Sequence, residues 1–179
     1  LAQFEGRLDL VDFAPVLDLN TNPGNPVIGD RSLSADVPTA AALGAAIVTA
    51  LQSGGVAACG KHFPGHGDTA VDTHLGLATV SHDRERLERV ELVPFQAGVA
   101  AGAGAAMVAH VELPAIDPQP GPATFSRMVV RGLLRHELDF GGVIYTDGMR
   151  MEAVNALAEP GEAAVRSIEA GLDVVLDSP

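Results

Sequence analysis

The sequence has 179 residues, of which 23 are acidic and 11 are basic, so its formal net charge is −12. With 47% hydrophobic and 19% charged residues, it is not an intrinsically disordered chain. The acidic balance argues against nucleic-acid binding, which needs clustered Lys and Arg. No apolar run approaches the roughly 20 residues of a membrane span.

Short apolar segments alternate with helical patterns along the chain. The patterns predict strands at Val11–Leu17, Val56–Cys59, Ala105–Ala109, Val143–Thr146 and Asp173–Leu176. They predict helices at Thr39–Ser53, Arg84–Ala101 with a break at Pro94, Arg127–Leu138 and Glu162–Ala170. This α/β alternation predicts a parallel sheet with right-handed crossovers.

Polar or ionisable residues follow four of the predicted strands, namely Asp18, the pair Lys61-His62, His110 and Asp147. In an open parallel sheet or a (β/α) barrel, the carboxyl ends of the strands form the active face. Polar residues at four strand ends in register therefore indicate a site. Five strands are fewer than a closed barrel needs, so the sheet is either open or a piece of a barrel.

The segment Lys61–Thr69 reads KHFPGHGDT, and its Pro64, Gly65 and Gly67 exclude a helix, so we expect a shaped loop leaving a strand. Lys61 is the only lysine in a chain that otherwise uses arginine. A lysine at this position indicates that the site requires the compact ammonium group as a hydrogen-bond donor. The alternative is that Lys61 is a surface lysine without a role.

Asp72-Thr73-His74 lies further along the same irregular stretch. The Asp72 carboxylate can accept the imidazole N–H of His74, which makes His74 a candidate acid/base; a solvated loop is the alternative. Asp147 closes an apolar strand, where it either caps the next helix or serves as a nucleophile. Arg31 follows a loop rich in Asn and Pro, and it either binds substrate or pairs with Asp30 or Asp36.

A metal site is a competing interpretation of this region. His62, His66, Asp68, Asp72 and His74 offer nitrogen and oxygen ligands within thirteen positions. Because Pro and Gly separate the first two histidines, they do not share a helix face as in an HExxH zinc site. We therefore expect no metal or other cofactor. His82 and His136 are interpreted as ordinary surface groups.

The run Lys61–Thr69, followed by Asp72-Thr73-His74, resembles the signature of family 3 glycoside hydrolases in their β-N-acetylglucosaminidase branch. The likeness extends over nearly the whole chain. Val11–Asp18 looks like the third barrel strand, Asn25–Ser32 like the substrate loop that follows, and Ala170–Leu176 like the last recognisable strand.

The resemblance implies a TIM (β/α)8 barrel that removes terminal N-acetyl-β-D-glucosamine from glycans, often peptidoglycan fragments, with retention of configuration. It implies Asp147 as the nucleophile, His74 as the acid/base and Asp72 as the partner of His74. A retaining hydrolase needs both a nucleophilic carboxylate and an acid/base.

By the same likeness, Arg31, Lys61 and His62 hold sugar hydroxyls. The family's first two strands would precede Leu1, so we expect residues 1–179 to form a single, incomplete catalytic barrel domain. A single cysteine, Cys59, excludes an internal disulfide and fits a reducing compartment. We expect a cytoplasmic location, with an exported form as the alternative.

Three other functions stay open at this point. They are a sugar-binding fragment without catalysis, a family 3 hydrolase of the β-glucosidase type, and a metal hydrolase. The Asp72-Thr73-His74 run argues against the β-glucosidase type, because those branches generally take their acid/base from elsewhere.

Overall fold

The computed structural model describes residues 10–70, 72, 73 and 75–178. In it, the chain folds around a curled parallel sheet. In chain order the strands are β1 (Val11–Asp12), β2 (Ala57–Phe63), β3 (Ala78–Thr79), β4 (Ala105–Val108), β5 (Val111–Glu112), β6 (Val143–Gly148) and β7 (Val174–Leu176). The main sheet has the order β1-β2-β4-β6-β7, and every neighbouring pair in it is parallel. β3 and β5 form a separate two-stranded parallel sheet. The fold is a partial TIM barrel, which confirms the predicted α/β class.

Helices lie between successive strands of the main sheet. They are α1 (Val37–Ser53), α2 (Arg84–Arg89), α3 (Val93–Ala100), a π-helix (Met128–Glu137), α4 (Glu152–Asn155) and α5 (Pro160–Ala170), with 3-10 turns at Gly29–Arg31 and Ala123–Phe125. The Asp36 carboxylate caps α1 by accepting the Thr39 N–H at 3.0 Å. No helix in the described part of the chain has both the length and the apolar character that a bilayer crossing requires.

The two faces of the sheet are packed differently because side chains alternate along each strand. Ala106, Val108 and Ile144 face the helices and join the large core, together with residues of α2, α3 and the π-helix. Ala105 and Met107 face the other way and pack in a smaller cluster against Tyr145 and Leu176. By this alternation, Asp147 lies on the same concave face as Tyr145.

Leu17 shows how closely two helices approach the sheet. It is 2% exposed and is surrounded by three glycines, Gly44 of α1, Gly60 of β2 and Gly98 of α3. A methyl group at Gly44 or Gly60 would lie 2.5 Å or 2.7 Å from a Leu17 methyl carbon. Both positions therefore need glycine for the helix, the strand and Leu17 to pack together.

Three predicted strand ends are wrong, and one of them is that of β6, which runs to Gly148 rather than Thr146 and so contains Asp147. The first strand ends at Asp12 rather than Leu17, because Pro15 has no N–H and the chain beyond it contributes only scattered bonds to β2, including Leu17 N–H to the Lys61 carbonyl at 2.6 Å. β2 runs on to Phe63 and not only to Cys59. Lys61 and His62 therefore lie within a strand and not in the predicted loop.

Helix predictions are closer to the structure. The predicted helix Arg84–Ala101 is interrupted ahead of Pro94, and α3 begins at Val93 with Pro94 in its first turn. The predicted helix Arg127–Leu138 forms, but its closing bond joins Leu138 N–H to the Leu133 carbonyl, five residues back. The short helix α4 was not predicted.

Candidate active site

The carboxyl ends of the strands surround a cleft of about 220 Å³. Seven polar residues line it, namely Arg31, Lys61, His62, His66, Thr73, Asp147 and Ser178. The structure thus brings together the predicted nucleophile and all three predicted sugar-binding residues. Thr73, between the predicted residues Asp72 and His74, also lines this cleft, and His74 lies outside the described residues.

Lys61 and His62 enter the cleft from the end of β2. The register between β2 and β4 shifts between Gly60 and Phe63, so both residues lie at an irregularity of the ladder. Such bulges redirect side chains and are common beside active sites. Two consecutive residues line one cleft at this irregularity, which includes the cis peptide bond between Lys61 and His62, whereas a regular strand would point them to opposite faces.

Asp18 fixes the orientation of His62. One oxygen of its buried carboxylate accepts the His62 backbone N–H at 2.9 Å and lies 2.7 Å from His62 Nδ1. The other oxygen accepts the His66 backbone N–H at 2.5 Å. Burial acts to raise the pKa of Asp18, but attraction to His62 and these hydrogen bonds outweigh it, so the pKa lies below its usual range. The sequence marked Asp18 only as a polar strand end.

Arg31 lies in the 3-10 turn Gly29–Arg31, beside the cleft. Its guanidinium donates to the Val27 carbonyl through Nε at 3.2 Å and through a terminal nitrogen at 2.8 Å. Among the described residues, no ion pair joins Arg31 to Asp30 or Asp36. The backbone contact holds the guanidinium without neutralising it, so its charge remains for a ligand.

Asp147 lies near the end of β6, next to Gly148, whose N–H and carbonyl groups are both hydrogen-bonded. The Gly148 N–H donates to Asp147 Oδ1 at 2.8 Å, and the Gly148 carbonyl accepts from His110 Nε2 at 3.0 Å. Since Nε2 carries the proton, neutral His110 accepts the Thr124 hydroxyl at Nδ1, at 2.9 Å. Burial lowers the pKa of His110, and this effect outweighs the Asp147 charge, which acts to raise it. The lowered pKa keeps this imidazole neutral.

Cys59 lies close to Asp147 on the same concave face, and it is buried. Burial raises the pKa of its thiol to about 12. The thiol therefore stays protonated near neutral pH and is a poor nucleophile. Asp147 remains the nucleophile candidate of this cleft.

The other histidine of the KHFPGHGDT run, His66, is buried among threonines. Its Nδ1 lies 2.6 Å from the Thr69 hydroxyl and its Nε2 lies 3.1 Å from the Thr73 hydroxyl. Burial lowers the pKa of His66, so this ring is neutral too. The sequence offered His66 only as a metal ligand. Within the described residues, no group of three or more His, Cys, Asp or Glu side chains is placed to hold a metal ion.

The interpretation of His82 as a plain surface group is wrong. Its Nε2 forms a short hydrogen bond with Asp68, whose other oxygen accepts the Thr21 hydroxyl at 2.9 Å. Glu91, whose side chain is 6% exposed, bonds to Arg86 nearby at 3.1 Å. The bonds to Asp68 tie the loop after β2 to Thr21 and to His82. Only folding brings positions 68 and 82 together, so local sequence gave no signal.

Comparison with known proteins decides the family. Residues 8–179 match the model of the glycosyl hydrolase family 3 N terminal domain. The chain belongs to glycoside hydrolase family 3. It is 41% identical over 177 residues to β-hexosaminidase A of Pseudoalteromonas piscicida, covering 93% of this chain and 30% of that protein. It is 44% identical over 169 residues to the β-hexosaminidase of Stenotrophomonas maltophilia (strain K279a), covering 94% and 49%.

A solved structure gives the same result for the family 3 fold. The chain superposes on a family 3 β-N-acetylglucosaminidase from Paenibacillus sp. str. FPU-7 with a TM-score of 0.91 and 51% sequence identity. The match covers 93% of this chain and 32% of that one. The chain therefore spans between about a third and a half of the length of these three proteins.

Proposed function

We propose that the protein containing this chain is a retaining β-N-acetylglucosaminidase, which removes terminal N-acetyl-β-D-glucosamine from glycans. The observation that carries the proposal is a single cleft that holds the Asp147 carboxylate together with Arg31, Lys61 and His62. The names of the matched relatives, β-hexosaminidase and β-N-acetylglucosaminidase, support the choice of sugar.

In the first half-reaction, an Asp147 carboxylate oxygen attacks the anomeric carbon and the bond from that carbon to the aglycone oxygen breaks. The imidazolium of His74 gives its proton to the departing oxygen, while Asp72 stabilises the charged ring. The products are a glycosyl ester on Asp147, the free aglycone alcohol and neutral His74.

In the second half-reaction, neutral His74 takes a proton from water and the water oxygen attacks the anomeric carbon. The ester bond to Asp147 breaks, which restores the carboxylate and the imidazolium. Two inversions at one carbon give net retention. Because Asp147 serves as the nucleophile, the substrate acetamide does not have to attack.

The remaining cleft residues hold the sugar. Arg31 and Lys61 supply charged donors for hydroxyl groups, and His62 supplies a ring nitrogen in an orientation that Asp18 sets. Met107 and Met151 line the same cleft and suit the apolar parts of the sugar. Such fixed contacts place the anomeric carbon against the nucleophile.

The test is release of 4-nitrophenol from its N-acetyl-β-D-glucosaminide by the full-length gene product near neutral pH. Asp147→Asn should lower turnover on the order of 10³-fold or more, and His74→Ala about 10²-fold or more. Asp139→Asn is the matched control, because Asp139 is exposed ahead of β6 and its φ of 52° suits asparagine.

Full activity in both active-site variants would refute the proposal. Preference for the corresponding glucoside would favour a β-glucosidase type. Sugar binding that survives Asp147→Asn, without product from the unchanged protein, would favour a binding role. Loss of activity with EDTA would favour a metal hydrolase.

A further inference from the structure

Thr73 attaches the segment that contains Asp72 and His74 to two different parts of the site. It is 1% exposed, and its hydroxyl lies 3.1 Å from His66 Nε2. Its backbone carbonyl accepts the Ala153 N–H at 3.3 Å. We propose that Thr73, held by His66 and Ala153, is the positioning residue that sets the acid/base pair against the nucleophile. This inference rests on the function proposed above.

One set of hydrogen-bond directions satisfies the whole cluster. In it, the hydroxyl proton of Thr69 goes to the His66 carbonyl, at 2.9 Å. With that proton on the carbonyl, the Thr69 oxygen accepts the Nδ1 proton of His66, at 2.6 Å. The neutral ring then has a lone pair at Nε2, which accepts the Thr73 hydroxyl. The hydroxyl at position 73 satisfies this nitrogen, which the valine side chain could not do.

The two anchors connect Thr73 to both halves of the proposed chemistry. His66 is fixed through its backbone N–H to Asp18, the residue that orients His62 on the sugar side. Ala153 lies in α4, the helix that comes three residues after β6, the strand that contains Asp147. A displacement of Thr73 would therefore move the acid/base segment relative to the sugar site and the nucleophile at once.

Residues on both sides of position 74 are also held. The Asp72 carbonyl accepts the Leu75 N–H at 2.8 Å and the Gly76 N–H at 3.1 Å. Leu75 itself is 79% exposed, so apolar packing does not fix this part of the chain. The contacts of the buried Thr73 therefore add side-chain anchoring to these backbone bonds.

The experiment compares kcat/KM for two N-acetyl-β-D-glucosaminides in the full-length gene product. The 4-methylumbelliferyl leaving group benefits from protonation, whereas 2,4-dinitrophenolate leaves without it. Thr73→Val should lower kcat/KM about tenfold for the first substrate and less than about threefold for the second, because only the proton-transfer step is misplaced. Thr73→Ser, which keeps the hydroxyl, should restore the first value.

Thr124→Val is the matched control, since Thr124 is also fully buried and also bonds to a histidine, His110, but on the nucleophile side. It should lower kcat/KM for both substrates by the same factor. An equal loss with both substrates in Thr73→Val, or no loss with either, would overturn the inference.

A readout without turnover separates this inference from the proposed function. In ¹⁵N NMR spectra, His66 Nε2 should appear unprotonated in the unchanged protein and should shift in Thr73→Val. A protonated Nε2 would overturn the inference even in an active enzyme. Failure of the proposed function would appear differently. The unchanged protein would give no product, or His74→Ala would lower kcat/KM equally for the two substrates.

Discussion

Replacing Asp18 by Asn removes one buried negative charge and keeps the shape of the side chain. The carboxylate accepts three hydrogen bonds, at 2.9 Å and 2.5 Å from the backbone N–H groups of His62 and His66 and at 2.7 Å from His62 Nδ1. An asparagine has one acceptor oxygen, so its NH₂ group must face at least one of these donors.

The expected loss is large because all three bonds are buried. A hydrogen bond to a charged group contributes about 1.5–3 kcal/mol, and removing one partner of a buried ion pair costs about 3–5 kcal/mol. We expect the free energy of unfolding to fall by about 3–5 kcal/mol at pH 7, out of about 5–15 kcal/mol for a typical domain. kcat/KM should also fall, because His62 loses its orientation.

Urea titrations followed by circular dichroism measure this loss, with the exposed Asp83→Asn as control. Asp83 caps α2 by accepting the Arg86 N–H at 2.8 Å, and asparagine caps about as well, so its stability should stay within about 0.5 kcal/mol. The same small change in Asp18→Asn would refute the assigned hydrogen-bond network.

The pH dependence of the loss follows from the lowered pKa of Asp18. Burial alone would raise this pKa, but His62 and the hydrogen bonds bring it below the ordinary 3.8. A group whose pKa is lower in the folded state contributes its stability above the unfolded pKa, and that contribution disappears as the pH falls through the folded value. The difference between the unchanged protein and Asp18→Asn should shrink as the pH falls below about 4.

Two further changes test the packing and the buried histidines. Gly67→Ala would place a methyl carbon 1.7 Å from the Leu19 carbonyl oxygen, so the free energy of unfolding measured in urea should fall by about 3 kcal/mol or more. Gly161→Ala is the control, because Gly161 lies in α5 with nothing within 4 Å of the added methyl group, and its stability should be equal or raised. Because burial lowers the pKa of His110 below 6.5, the unfolded chain binds a proton first, and stability should decline below about pH 6.5 by at most about 1.4 kcal/mol per pH unit. His110→Gln should flatten that decline, and an unchanged slope between pH 7 and 5 would contradict a neutral buried ring.

Local signals predicted the helices well and the strands less well. Asp36 and Gly54 mark the start and end of α1, and both act through bonds to residues within four positions. The length of β2 depends instead on neighbours far along the chain, such as the Val16 bridge to Lys61 and the pairing of Phe63 with Val108. Sequence periodicity contains no information on those partners, so it placed the end of β2 four residues too early.

The candidate site shows the same division. Polar residues after apolar strands located Lys61, His62 and Asp147 in one cleft, because the carboxyl ends of parallel strands must meet. The same pattern also marked Asp18 and His110, but it did not predict which groups they would bond to. Asp18 lies 44 positions before His62, and the carbonyl of Gly148 lies 38 positions after His110. Such partners are set by the sheet order, which the sequence did not specify.

The spacing of the two histidines in the KHFPGHGDT run has a physical reason that a metal interpretation misses. Gly65, at φ 126°, donates its N–H to the His62 carbonyl at 2.8 Å and turns the chain so that both histidine amides reach the Asp18 carboxylate. The same turn gives the two rings different roles. His62 Nδ1 bonds to Asp18, which leaves Nε2 for a ligand in the cleft, whereas both ring nitrogens of His66 are taken by Thr69 and Thr73. Only one of these two rings is therefore able to bind a sugar hydroxyl, and the other is committed to holding the loop.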